Sequence, residues 1–293
     1  MQQLAQSLIL GLLIGGVYAL MASGLTLVFG VMRIVNIAHG AMLIASATIT
    51  WYIWSKTGID PLLIAIPMTL LMFCVGWLLY QTVVHRVSQA SPSMSVLLTF
   101  GLALTVEGLL NVFAGNKFRS ATPPYFDKSF RLGGLVFPKT HVYAAAVALV
   151  TLTILYVILS RTWTGRAIRA TSQNPTGAAL IGISATGVAA LAFAIGTATA
   201  GVGGSILSVL YPFFPASHYD WIARLLGIVV LGGMGSLAGA FVGALFLGLA
   251  ETLTATYGSL QWATVVFYIV ILVVLVVRPQ GLFGSQIRED VAA

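Results

Sequence analysis

Residues 30–44, GVMRIVNIAHGAMLI, set Arg33, Asn36 and His39 among side chains that otherwise suit hydrocarbon. Asn36 and His39 stand three apart, so on a helix they share a face, and Gly40 lets the backbone turn or a second helix approach. One reading is a broken helix beside a path through the bilayer, where free peptide dipoles meet a polar solute. The plainer reading is a short connection at a helix end, in which Arg33 snorkels and His39 satisfies a backbone carbonyl. Chemistry alone favours the plainer one.

Two carboxylates, Glu107 and Glu251, fall inside apolar runs. A charge at bilayer depth costs about 2.5–3.5 kcal/mol or more, so each should face protein or water, or else sit near a helix end. An ion-coupled secondary transporter of a small polar solute could use them, although two isolated acids are few for a proton or sodium relay. Other chemistries are missing. None of the four lysines, Lys56, Lys117, Lys128 and Lys139, follows a glycine, so no phosphate-binding P-loop can be written. Four scattered histidines and one cysteine offer no metal-ligand spacing, no nucleophile elbow occurs, and the site is expected to be neither catalytic nor metal-binding.

Glycines form a second pattern. Gly232 and Gly233 are followed by Gly235, Gly239 and Gly243 at four-residue spacing, a flat face for close helix packing in lipid. Gly11 and Gly15, and Gly201, Gly203 and Gly204, add further thin surfaces. The segment 161–184 differs in kind: it is polar, carries Arg166 and Arg169 three apart, turns at Asn174 and Pro175, and ends in a short apolar helix. It could be a solvated loop or a seat for a protein partner, with its arginines pairing with acids.

The elements that must position these groups follow from composition. Of 293 residues, 59% are hydrophobic and 7% charged, against about 25% charged in soluble domains. The runs are too long and too uniformly apolar for strands. The expected fold is an all-α integral membrane protein, a polytopic bundle of about eight transmembrane helices with re-entrant or broken helices, built as one domain over 1–293. Apolar segments lie at about 8–29, 41–54, 62–80, 95–114, 142–160, 185–211, 222–231, 237–255 and 263–277, of which 222–231 is too short to span and 41–54 is marginal. The first 32 residues hold no Lys or Arg, so the N-terminus is expected to be retained as the first span rather than removed as a signal. Cys74, inside 62–80, is expected to be a packing residue.

Orientation is not set by charge. Counting every segment as a crossing puts Arg33, Arg86, Arg161, Arg166, Arg169, Arg278 and Arg288 on one side, against Lys56, Lys117, Arg119, Lys128, Arg131, Lys139 and Arg224 on the other. The net charge of +7 suits membrane lipid head groups and shows no nucleic-acid patch. A faint internal echo links FGVMRIVNIAHGAML from Phe29 to LGGMGSLAGAFVGAL from Leu231.

Taken in order, GLTLVFGVMRIVNIAHGAML, GRAIRATSQNPTGAALIGIS, GIVVLGGMGSLAGAFVGALFLGLAET and the terminal RPQGLFG resemble the LIV-type permeases of bacterial ABC importers, and among these the LivH-like subunit. The resemblance implies a bacterial inner-membrane subunit for branched-chain or related amino acids. Its implied partners are a second homologous permease subunit, two cytoplasmic ATP-binding subunits and a periplasmic solute-binding protein. ATP and Mg would sit on the ATPases, and no cofactor on this chain. It places a cytoplasmic coupling loop at about 161–184, with Gly165, Arg166, Arg169, Asn174, Pro175 and Gly182, and an external loop at about 116–140. It also implies a solute path lined by Asn36, His39, Gly40, Gly232, Gly233 and Gly235 with Glu251 near a gate, and leaves Gly239 and Gly243 to helix packing. The coupling stretch lacks the leading Glu and closing Leu-Pro of the EAA pattern found in other ABC importers.

Overall fold

In hydrocarbon each backbone N–H and C=O must be bonded within its own segment, so uninterrupted apolar runs become helices. A computed structural model describes residues 1–88 and 92–284; Arg288 and residues 89–91 of the connection expected at 81–94 lie outside it. The chain begins with α1 (Gln2–Met32), α2 (Ala38–Thr57) and α3 (Pro61–Leu79), which continues through a π turn, Tyr80–Val84, into α4 (His85–Ser88). Then come α5 (Pro92–Ala114), a hairpin of β1 (Ser129–Leu132) and β2 (Leu135–Pro138), and α6 (Lys139–Arg161). Two short helices, α7 (Trp163–Gln173) and α8 (Pro175–Leu180), precede α9 (Ala185–Leu210), α10 (His218–Gly232), α11 (Leu237–Tyr257) and α12 (Leu260–Val277).

Seven helices among the described residues are long and apolar enough to cross a membrane: α1, α3 with its extension, α5, α6, α9, α11 and α12. With α2 and α10 as interrupted helices, this is the expected polytopic bundle, with seven full spans where about eight were expected. The hairpin was not foreseen. Its turn is Gly133-Gly134, both at positive φ (57° and 83°), which suits a tight two-residue connection.

For orientation, the end holding α7 and α8 is here the basal end, and the end holding the hairpin the distal end. Helices α1 and α9 form the centre and are buried through most of their length. Glycine sets how near their neighbours come. Helix α11 lies along α1 where Gly11 and Gly15 face Leu249 and Leu245, and α3 lies along α9 where Gly201 faces Met68 and Gly76 faces Thr197. The two central helices cross at Gly24 and Gly196. A β-carbon on Gly24 would stand 2.1 Å from Thr199 Oγ1 and 2.5 Å from the Gly196 carbonyl, so α1 and α9 must part to admit it. Gly24→Ala is therefore expected to cost about 1–3 kcal/mol, the range for overpacked cores, read as a lower melting temperature of the purified chain in detergent.

These packings give the bundle an inverted internal symmetry. A long central helix, an irregular stretch, a half-helix and two spans occur in that order in α1, α2, α3 and α5, and again with opposite direction in α9, α10, α11 and α12. The structural counterpart of the break at 33–37 is thus 211–217, before α10. The glycine turn at 231–237 is not its match, as the sequence echo had suggested, but a tight basal connection. Similarity of composition, Gly, Met and a small-residue break, is shared by any close helix turn and does not fix register.

Two other expectations change. Cys74 is exposed on the outer side of α3, not packed. Arg224 lies inside α10 rather than in a distal connection, which removes it from the charge count. The described basal segments then hold Arg33, Arg86, Arg161, Arg166, Arg169 and Arg278, and the distal ones Lys56, Lys117, Arg119, Lys128, Arg131 and Lys139.

Candidate functional site: two half-helix termini at mid-depth

Helix α1 stops at Met32 because Arg33 turns into the left-handed region (φ 55°), its N–H still capping the Phe29 carbonyl. The chain then runs without regular structure back alongside α1. Thr99 Oγ1 of α5 fastens this stretch, accepting from the Ile37 N–H at 3.2 Å and donating to the Val35 carbonyl at 3.2 Å. Helix α2 begins where His39 Nε2 meets the Met21 carbonyl at 3.0 Å. Met21 lies eleven residues from the end of α1, about 16 Å at 1.5 Å per residue, so α2 starts well inside the bundle, at a distance from the basal end of α1 comparable to half of a ~30 Å bilayer core.

The second half-helix arrives from the other side. After α9, residues 211–214 turn back into the bundle and are held by the connection that follows α5. Arg119 and Phe213 exchange both backbone hydrogen bonds (2.8 and 2.9 Å), and the Ala121 N–H donates to the Ser208 carbonyl at 2.7 Å. Arg119 also stacks 4.4 Å over the Trp51 ring, and its guanidinium donates to the Ala114 carbonyl. Helix α10 then starts at His218, directly against Gly40: a β-carbon there would stand 2.7 Å from the His218 carbonyl and 2.9 Å from Ile222 Cβ. Gly40 thus lets the first turns of α2 and α10 touch.

The polar groups at this junction are short of partners. Because His39 Nε2–H donates to a carbonyl, its Nδ1 is left as an acceptor, and His39 is 1% exposed. His218 Nε2–H donates to Glu107 Oε2 at 3.0 Å, and its Nδ1 is likewise buried. Tyr219 Oη donates to the same carboxylate oxygen at 3.0 Å. Asn36 Oδ1, His39 Nδ1 and His218 Nδ1 have no hydrogen-bond partner in the chain. Three buried polar atoms without a partner and the carboxylates of Glu107 and Asp220 therefore lie around two helix N-termini, whose ends carry partial positive charge.

A third cluster sits toward the distal end. Glu251 of α11 pairs with Arg224 of α10 at 2.5 Å, and Tyr18 of α1 donates to Glu251 Oε2 at 2.8 Å while accepting from Arg224 at 2.8 Å. The guanidinium is surrounded by the rings of Tyr18, Trp221 and Phe267 at 5.5, 5.7 and 4.9 Å.

The residues singled out from sequence thus fall in several places. Asn36, His39 and Gly40 form the mid-depth junction. Gly232, Gly233 and Gly235 lie at the basal end, where α10 turns into α11 against Phe283 and Gly284, and Gly235 meets Gly30. Glu251 is in the distal ion pair. Gly239 and Gly243 face α10, with Gly239 closing on the Gly232 carbonyl. In the basal segment every chosen residue has a local reason. Thr162 and Asn174 cap α7 and α8 from their side chains, Pro175 opens α8, and Gly182 ends it at φ 80°. Gly165 lets α7 fold against α6, since a β-carbon would meet the Leu159 carbonyl at 2.2 Å. Arg169 donates to that carbonyl, while Arg166 lies exposed, 5.3 Å over Trp163.

Sequence reasoning flagged Glu107 and Glu251 as acids but missed their partners. His218 and Arg224 fell where the apolar run had not yet begun or was too short to read as a span, and with 14 Lys and Arg against 7 Asp and Glu no count singles them out as the partners. Among the described residues no group of three His, Cys, Asp or Glu side chains could hold a metal ion.

A bundle of crossing spans with two opposed half-helices meeting inside it is the architecture of a membrane permease. A family model described as branched-chain amino acid transport system / permease component matches residues 7–275. The chain is 30% identical to the high-affinity branched-chain amino acid transport system permease protein LivH of Salmonella typhimurium, over 98% of this chain and 97% of the relative. The corresponding BraD protein of Pseudomonas aeruginosa is 28% identical over 98% and 97%. LivM of Salmonella typhimurium is 31% identical over 48% of this chain and 33% of its own length. No solved structure matches. The chain belongs to the branched-chain amino acid permease family, and is a multi-pass membrane subunit of an ABC importer, not an enzyme.

Proposed function

We propose that this subunit carries branched-chain or related amino acids across a bacterial inner membrane, paired with a second, homologous permease. Two ATP-binding subunits on the basal, cytoplasmic face would drive it, with ATP and Mg held there, and a periplasmic binding protein would dock on the distal face around 116–140. The observation that carries the solute path is the meeting of the α2 and α10 N-termini beside Glu107. A zwitterion presents a carboxylate, which suits helix N-termini, and an ammonium group, which suits a carboxylate with neighbouring acceptors. Asn36, His39 and Gly40 belong to this path. Gly232, Gly233 and Gly235 form a basal hinge between α10 and α11, and the Glu251 pair closes the distal side. Glu107 and Glu251 are each engaged by a basic side chain of the same chain, which leaves little in either for an ion-coupled carrier to use.

Purification of the subunit from its native membrane is expected to bring along a second permease and two ATPases. Proteoliposomes holding that complex should take up leucine only with ATP inside and a loaded binding protein outside. Uptake by this chain alone, driven by a proton or sodium gradient, would overturn the reading.

The basal segment 161–184 is proposed as the coupling loop. Arg166 is the clean test, because Arg169 also tethers α7 to α6. Arg166→Glu should leave the complex assembled yet abolish stimulation of ATP hydrolysis by loaded binding protein. Unchanged stimulation would remove Arg166 from the contact.

A further inference from the structure

Helices α6 and α11 both pack on α1 and leave a groove of about 600 Å³ between them. Its wall is mostly hydrocarbon, from Leu149, Leu152, Leu155, Phe241 and Val242, with small Ala238 at one side. At its basal end stand Ser160, whose buried Oγ has no partner in the chain, and Arg169. Leu149 to Ser160 spans eleven rises of α6, about 16 Å, close to half of a ~30 Å bilayer core, which is the depth of one leaflet. Charge points the same way: the described basal segments carry six arginines and no carboxylate, and Trp163 projects there, 69% exposed, as an interfacial aromatic does.

We propose that this groove is a binding site for an anionic phospholipid of the basal leaflet, with one acyl chain along α6 and the phosphate at Arg169 and Ser160. The match is of length, polarity and charge at once. A groove meant for a protein helix would have no need of a basic, hydroxyl-bearing end at leaflet depth. Because Arg169 also holds the last turn of α6 to α7, a lipid there bears on the position of the basal helices.

The test is native mass spectrometry of the purified complex with added phosphatidylglycerol or phosphatidylcholine of identical chains. Phosphatidylglycerol should be retained preferentially at one equivalent. Arg169→Gln should lower that preference about fivefold, the contribution of one basic group at an anionic surface, and Arg169→Lys should restore it. Val242→Trp and, as a second filling variant, Ala238→Trp should displace both lipids, with gel filtration and melting temperature reporting intact fold. Equal retention of the two lipids, indifferent to these changes, overturns the proposal. So does loss of the permease pair in the tryptophan variants with lipid retention unchanged, which would assign the groove to a protein helix. The readout is lipid retention, so its failure is distinct from failure of the solute-path reading.

Discussion

Arg224→Leu is expected to destabilise the chain by about 2–3 kcal/mol, and Arg224→Leu with Glu251→Leu to recover most of that loss. The two side chains are 17% and 19% exposed. Breaking a buried pair on one side strands the other charge, at about 3–5 kcal/mol, and the residual exposure reduces this. Tyr18 cannot replace either member. Its hydroxyl would remain bonded to Glu251, but a neutral donor does not balance a carboxylate in hydrocarbon. Removing both charges leaves a site already walled by Trp221 and Phe267, which leucine can fill. Melting temperatures of the wild type, both single variants and the double variant form a cycle that isolates the coupling. A double variant as unstable as the sum of the singles would mean that the pair contributes through packing of the arginine stem alone. Against a total stability of about 5–15 kcal/mol, even 2 kcal/mol should be plain in the yield of folded protein.

All nine apolar segments of the sequence became helices, because in a bilayer the alternative is unbonded backbone. The breaks were harder to read. At 30–44 both readings contained part of the answer: the helix is broken at mid-depth, and His39 does satisfy a carbonyl, that of Met21 on the neighbouring helix. Periodicity cannot show that a five-residue irregular stretch climbs back beside the preceding helix, since that depends on Thr99, more than sixty residues away. The stretch before α10 was invisible for the same reason. Its register is set by strand-like pairing with Arg119, and Arg119 looked like an ordinary loop charge.

The glycine pattern was legible as close packing but not as to partner. Spacing of four marks a thin face, and which helix comes to it is a tertiary fact. Gly239 and Gly243 receive α10, Gly11 and Gly15 receive α11, and Gly204 receives α2 at the Leu43 carbonyl. In the distal loop, Tyr125 donates to Asp60 Oδ1 at 3.0 Å and covers the start of α3. Burial and the Asp60 charge push its phenol well above the usual tyrosine range, so this contact persists across physiological pH.

Glu107→Ala is expected to lower ATP-driven amino acid uptake at least about tenfold while the complex still assembles. Two effects add. The variant removes the carboxylate that His218 and Tyr219 bond, leaving Asp220 of the first turn of α10 in place, and it leaves His218, 1% exposed, with neither ring nitrogen bonded, an unmet burial worth about 1–3 kcal/mol. Glu107→Gln separates them. The amide oxygen can still accept from His218 Nε2–H or from Tyr219, so the junction keeps its shape while losing the Glu107 charge. If the carboxylate meets the solute ammonium group, the Gln variant should transport nearly as poorly as Ala. If Glu107 only positions α10, Gln should restore most uptake and Ala should not. The two outcomes differ most at low concentrations of loaded binding protein, where solute capture rather than ATP turnover sets the rate. Gly40→Val supplies the structural comparison. It pushes α2 from α10 at the His218 carbonyl without touching any charge, and should impair folding and uptake together, whereas Glu107→Gln should impair uptake alone.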